Sequence, residues 1–402
     1  MVGLVAIGYA ELIDYGHYLF TRLLGYSNWL PLFITPLVTV LSVWLARRLF
    51  PGAEGSGIPQ VIACLENPRH GLGSHLLTLR IAIGKIGLSF VAALGGLTLG
   101  RAGPTVHVGA ALMYNLRHIY PRSNTTLDQR LTLAGAAAGL SAAFNAPLAG
   151  IMFAIEDLLH GFSLRTSQAV LIAITIAGVV SLDIRGNYIY FSVVDINDFS
   201  DGFLMLMVIV AIGLLTGISG GIFVWLALNT QRWMPAFLQQ LRNQRPLCFA
   251  ACCGLAVALI GISTDNNTYG GGHEQVTHLL GNSDQQPPVY FPFVKMVSLL
   301  LSYLPGVPGG ILSPSLSIGA GLAKLLQPLF ATIPLPNLIT LGMVGYMAAS
   351  TRAPLTAFVI VMEMIDGHQL VIAMMATGLI ASGVSSLFVE RFYTASAKRY
   401  FP

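Results

Sequence analysis

The stretch "GRAGPTVHVGAAL", residues 100–112, decides how the chain is read. Gly100 and Gly103 bracket Arg101 and Ala102, Pro104 breaks the backbone pattern, and small or β-branched residues then run on to Leu112. These helix-breaking residues lie in a chain that is otherwise almost wholly apolar. Of its 402 residues, 54% are hydrophobic and only 9% charged, with a mean hydropathy of +0.71. Soluble domains carry about 25% charged residues. Apolar runs recur at 29–46, 86–99, 131–155, 167–182, 203–229, 247–263, 290–304, 336–362 and 369–389. Several approach the roughly 20 residues a helix needs to cross a bilayer. The chain therefore reads as an all-α polytopic membrane protein.

Other features narrow the class. The opening residues, MVGLVAIGYAEL, lack the basic region and small-residue cleavage site of a signal peptide. Cys64, Cys248, Cys252 and Cys253 sit in or beside apolar segments, and the adjacent pair suits neither a metal cage nor a disulfide framework. No metal or organic cofactor is expected. A net charge of +4, with no basic cluster interleaved with aromatics, argues against nucleic-acid binding.

Comparing the chain with itself gives more. "GRAGPTVHVGAAL" at 100–112 matches "GILSPSLSIGAGL" at 310–322, pairing Gly100 with Gly310, Pro104 with Pro314 and Gly109 with Gly319. "SAAFNAPLAGIMFAIE" at 141–156 matches "ASTRAPLTAFVIVME" at 349–363, aligning two Ala-Pro-Leu triplets and Glu156 with Glu363. "GSGIPQV" at 55–61 echoes "GGGHEQV" at 270–276. Three matches in one order describe two copies of a single unit, 1–190 and 191–402, joined near 185–205. The segment 183–202, with four aspartates against one arginine, suits a non-cytoplasmic loop. Arg391, Lys398 and Arg399 suit a cytoplasmic tail. An odd number of crossings per copy makes the two copies inverted, an architecture of transporters and channels whose site lies where the copies meet.

The glycine-proline breaks then acquire a purpose. A helix that starts inside the bilayer leaves its first N–H groups without partners, which lipid does not tolerate. Proline in the first turn removes one orphan donor and glycine lets the chain turn sharply. Converging N–H groups with a helix dipole behind them form an anion site. The candidates are 55–61, 100–106 and 310–316. Kinks or close helix packing explain one such break equally well, but not three of them, two related by the repeat.

With these segments assembled, nearly the whole chain, from about residue 2 to 397, resembles the ClC family of chloride channels and proton-coupled chloride exchangers. "GSGIP" at 55–59 reproduces the family's first motif, carrying Gly55, Ser56, Gly57 and Pro59. "GRAGP" at 100–104 matches the second except at Ala102, and "GILSP" at 310–314 matches the third, with Leu312 where phenylalanine is usual. "FYTASA" at 392–397 looks like the segment that presents the family's pore tyrosine, here Tyr393. The resemblance implies a fold of two inverted repeats of interrupted, tilted helices. It also implies a chloride site made of the Ser56 hydroxyl, the N–H groups of Ile311 and Leu312, and the Tyr393 hydroxyl. Neutral donors of this kind hold a halide well enough to dehydrate it and weakly enough to release it. Taken alone, Ser56 is an ordinary helix cap and Tyr393 an interfacial aromatic.

Ala102 stands where the family usually has its gating glutamate. A methyl group can neither block an anion path nor carry a proton, so the chain is expected to pass chloride without strict proton coupling. Asp157 conflicts with this, because it sits where the resemblance puts the exchangers' inner proton-transfer acid. With Glu156 it reads equally as a pair of helix-end acids. Two origins fit the combination: an uncoupled member, or an exchanger whose glutamate has been replaced. Glu363 reads as structural, and Arg101, His107 and Arg352 as anchors of their helices.

The resemblance further implies a homodimer in lipid, with one path per subunit. The family's N-terminal stretch is missing or shortened and no soluble regulatory domain follows, which fits a prokaryotic type in the bacterial inner membrane. The rival within the class is a proton-coupled exchanger of chloride or a related anion. From another class comes an intramembrane serine protease, because "GISG" at 217–220 fits a short serine-hydrolase pattern around Ser219. That chemistry needs a histidine base in reach, and His273, His278 and His368 fall in loop-like contexts. An enzyme is therefore not expected.

Overall fold

The prolines singled out above lie in the first turns of helices. Pro59 falls in the opening turn of Ile58–Glu66, Pro104 in that of Ala102–Asn115 and Pro314 in that of Leu312–Lys324, while Pro147 and Pro354 begin Pro147–Phe153 and Pro354–Ile365. Proline is suited to such a turn because the N–H it lacks has no intrahelical acceptor there. The computed structural model describes residues 1–68, 71–119, 125–158, 164–186, 190–191, 202–281 and 286–401. Among these residues every regular element is helical, apart from one isolated bridge.

Among the described residues four helices are long and apolar enough to span a bilayer: Pro31–Arg48, Gly202–Leu228, Pro246–Ser263 and His368–Ser386. They turn bulky side chains outward, among them Phe33, Leu37, Phe203, Leu206 and Ile372. Hydrocarbon is the solvent that accepts such a surface. Others are buried nearly all round, as in Leu335–Thr351, where every residue except Pro336 is buried. Glycine lets them approach. A Cβ on Gly135 would overlap the backbone oxygen of Gly109, and one on Gly342 would overlap that of Gly319. This is the small-residue packing of helices in a multi-pass membrane protein.

Two of the long apolar runs are not single spans. The run 131–155 divides between Thr125–Phe144 and Pro147–Phe153, turning at Asn145 with φ +54°. The run 336–362 divides between Leu335–Thr351 and Pro354–Ile365, turning at Arg352 with φ +60°. The left-handed residue and the proline after it end each helix mid-run.

Repeat-related helices begin at matching positions. Ile58 and His273 open one pair, Ala102 and Leu312 a second, Pro147 and Pro354 a third, at the offsets found in the sequence. The copies also exchange identical contacts. The Gly100 N–H donates to the Gly310 carbonyl and the Gly310 N–H to the Gly100 carbonyl, both at 2.7 Å, in an antiparallel bridge. Glu156 accepts the N–H groups of Leu355 and Thr356 at 3.1 and 2.6 Å, while Glu363 accepts those of Leu148 and Ala149 at 3.1 and 2.8 Å. Reciprocal contacts between equivalent residues are the signature of a two-fold axis. Because the bridged segments run antiparallel, the helices that follow them leave in opposite directions, which is the inverted repeat. Most of the acidic stretch 183–202, including the join, lies outside the described residues.

Candidate functional site

The three glycine-proline breaks meet at one place. Gly55 and Gly57 adopt φ of +64° and +99°, so the chain turns twice around Ser56 before the Ile58 helix begins. Both angles favour glycine, which has no Cβ to clash. Ser56 presses on the second break, where a Cβ on Gly103 would overlap its Oγ. The third break closes the cluster, since a Cβ on Gly310 would lie 3.0 Å from the Gly103 nitrogen. Ile311 and Leu312, both buried, open the Leu312 helix, so their N–H groups are among those with no intrahelical acceptor.

Ser56 is not a helix cap. Gly57 holds that position, without a side-chain cap, and the Ser56 hydroxyl is 1% exposed with no hydrogen-bond partner. Tyr393 is not interfacial either. It is 2% exposed, packs edge-on to Phe392 at 5.5 Å, and its hydroxyl also lacks a partner. The two hydroxyls lie near each other, unbonded. Burying an unsatisfied hydroxyl costs about 1–3 kcal/mol. Two of them together, near N–H groups without intrahelical acceptors, make a cluster of neutral donors suited to hold an acceptor.

Ala102 is the first residue of its helix and is fully buried. Asp157 lies on a single π-helical turn, Ala154–Leu158, 8% exposed and within electrostatic reach of Tyr393, Glu156 and Arg391. Its neighbour Glu156 has a separate task, capping the Pro354 helix and also accepting the Thr356 hydroxyl at 2.8 Å. Glu363 caps the Pro147 helix, as described above. Arg101 turns away from the cluster, donating to Asp14 at 2.5 Å and to the Ala10 carbonyl at 3.2 Å. His107 holds the Leu76 carbonyl at 2.9 Å, and Arg352 donates to the Val389 carbonyl at 3.1 Å. Ser219 bonds the Leu215 carbonyl of its own helix. His273 stacks on Phe191 and His368 pairs with Asp366 at 3.1 Å. No hydrolase dyad is formed by these residues, and the protease reading finds no support.

Two buried lysines that the sequence reading missed stand behind the first break and behind its repeat counterpart. Lys85 and Lys295 are both fully buried, and they stand at the same offset as Gly100 and Gly310. The Lys85 ammonium donates to the Gly55 carbonyl at 3.2 Å. That of Lys295 donates to the carbonyls of Thr268, Tyr269 and Gly270 at 2.9, 3.0 and 2.9 Å. Each ammonium thus pins the loop that precedes a repeat-related helix. Among the described residues neither makes an ion pair, although Glu54 and Glu274 act on them from a distance. The offset itself was the signal that could have found them.

Known proteins share this fold. The family model described as voltage gated chloride channel matches residues 38–386. The H(+)/Cl(-) exchange transporter ClcA of Salmonella paratyphi B is 32% identical over 357 residues, covering 86% of this chain and 73% of the relative, and the protein of that name from Salmonella newport matches equally. A slow cyanobacterial Cl-/H+ antiporter has the same fold, with a TM-score of 0.82 at 23% identity over 99% of this chain and 95% of its own. A CLC-type fluoride/proton antiporter follows at 0.75 and 21%, over 96% of this chain and 94% of its own. The helix starts, the reciprocal contacts and the matched span agree: the chain belongs to the voltage gated chloride channel family.

Proposed function

We propose that the protein carries chloride passively across the membrane, with proton coupling lost or weakened because Ala102 occupies the gate position. The observation that carries this reading is the pair of buried, unpartnered hydroxyls, Ser56 and Tyr393, beside the start of the Leu312 helix. A dehydrated halide is an acceptor without directional demands, and it satisfies both hydroxyls together with the Ile311 and Leu312 amides. Lys85 holds the Gly55 carbonyl behind the cluster and so presents no cation to the ion, which favours attraction without trapping. Ala102 offers no carboxylate to compete for the same donors.

The second reading, proton-coupled exchange of chloride or a related anion, rests on Asp157. A buried acid within reach of Tyr393 is costly in a membrane and is a default sign of function. The curated relatives are named as exchangers, which supports the same reading. Chloride and proton efflux measured together from liposomes separates the two. Passive transport gives chloride flux with no proton movement driven by a chloride gradient, and Ala102→Glu introduces such movement. Proton pumping by the unaltered chain would establish exchange instead. The same reading takes the repeat boundary as 190/191, the assembly as a homodimer with one path per subunit, and the location as a bacterial inner membrane.

A further inference from the structure

A cavity of about 430 Å³ opens beside Gly55, the residue before Ser56. Three arginines from three separate elements converge on it: Arg47 from the end of Pro31–Arg48, Arg242 from Ala236–Gln244, and Arg399 from the turn after the Tyr393 helix. Tyr303 and Tyr400 line it as well, and Glu54 supplies the one carboxylate among the described lining residues. Three arginines and one glutamate leave the lining with two uncompensated positive charges.

The side chains have few partners of their own. Arg242 donates to the neutral hydroxyl of Thr230 at 2.9 Å, and it feels the charges of both Arg399 and Arg47. Among the described residues none of the three makes an ion pair. Glu54 is committed to the Gly52 N–H at 2.8 Å. Arg47 and Arg399 are exposed and Arg242 is half-buried, so water screens part of their mutual repulsion and a counter-charge between them would relieve the rest. Guanidinium forks match the oxygens of phosphate and carboxylate groups in pairs, whereas a halide offers them no such geometry. The space is large enough for a small organic ligand and is unlike the tight cluster of neutral donors around Ser56. Tyr303 links the two places, because its ring packs on Phe392 at 5.6 Å, next to Tyr393.

We propose that this cavity binds a doubly charged oxyanion, of the kind a phosphate monoester or inorganic dianion presents, and that the bound anion covers one mouth of the conduction path. The binding half stands on the arginine cavity alone; the covering half rests on the anion-transport reading above.

The test is calorimetric titration of the intact, detergent-purified protein with sulfate and with inorganic phosphate at low ionic strength. Saturable binding is expected. Arg47→Gln and Arg242→Gln are each expected to weaken it by about tenfold or more, the worth of a charge-assisted hydrogen bond. Glu54→Gln is expected to tighten it several-fold, a gain that misfolding cannot imitate. Absence of binding, or affinities unmoved by all three substitutions, overturns the proposal. Repeating the titration in nanodiscs with and without a phosphorylated inositol lipid identifies the natural source. Loss of sulfate binding only with that lipid marks a headgroup; retention in both marks a soluble anion. Chloride efflux with sulfate on the face bearing the C-terminus should fall in parallel with occupancy. Sulfate binding in a protein that moves no chloride would sink the transport reading and leave the site standing, while chloride flux without sulfate binding would do the reverse.

Discussion

At the scale of single residues, what marks this site is that two unpartnered hydroxyls lie side by side near the start of the Leu312 helix. Buried hydroxyls elsewhere either find a carbonyl, as Thr105 does with Arg101 and Tyr269 with Ala258, or stand unpartnered singly, as Ser42 and Tyr346 do. Ser56 and Tyr393 come as a pair. Ser56→Ala and Tyr393→Phe are therefore expected to cost the fold little, because each deletes an unsatisfied group. Each should weaken chloride binding by about tenfold, read by titration calorimetry with chloride. If both variants bind chloride as the parent does, the ion lies elsewhere. The break at 55–61 was legible in its glycines and proline, but the roles of Ser56 and Tyr393 both rested on family resemblance, since nothing in the composition of "FYTASA" says that the ring turns inward. Asp157 lies in the same neighbourhood as Tyr393. The sequence could not show that its neighbour Glu156 is used up as a helix cap, because that partner lies 200 residues away.

Among helices, the contacts that matter run between the copies. Each carboxylate of the Glu156 and Glu363 pair accepts the first free N–H groups of the other copy's broken helix, where the positive end of the dipole favours a negative charge. Glu156→Gln and Glu363→Gln each replace one accepting oxygen with a donor facing a donor. Both are expected to lower stability by about 1.5–3 kcal/mol, to a similar extent, read as the shift in thermal unfolding in detergent. Gly135→Ala tests the packing: its methyl would meet the Gly109 carbonyl, a rigid backbone atom, so the two helices must separate. A loss of about 1–3 kcal/mol is expected, with Gly342→Ala behaving alike because the second copy repeats the contact. The repeat was readable because the same glycine and proline spacing recurs in the same order at a nearly constant offset. The breaks at Asn145 and Arg352 were hidden, because hydropathy averages across a turn that costs only one left-handed residue.

Across the whole molecule, the bridge between Gly100 and Gly310 ties the midpoint of one copy to the midpoint of the other. Neither half can satisfy its own break. Cutting the chain at 190/191 is expected to give a first half that fails to accumulate when expressed alone and recovers when the second half is supplied as a separate chain, as read by the yield of monodisperse complex. A stable, isolated first half would contradict this. The consequence falls on biosynthesis. When the ribosome has delivered Gly100 to the bilayer, its hydrogen-bond partner is still some two hundred codons from being translated, so the insertion machinery must shelter a half-made interior until the later copy arrives and locks onto it.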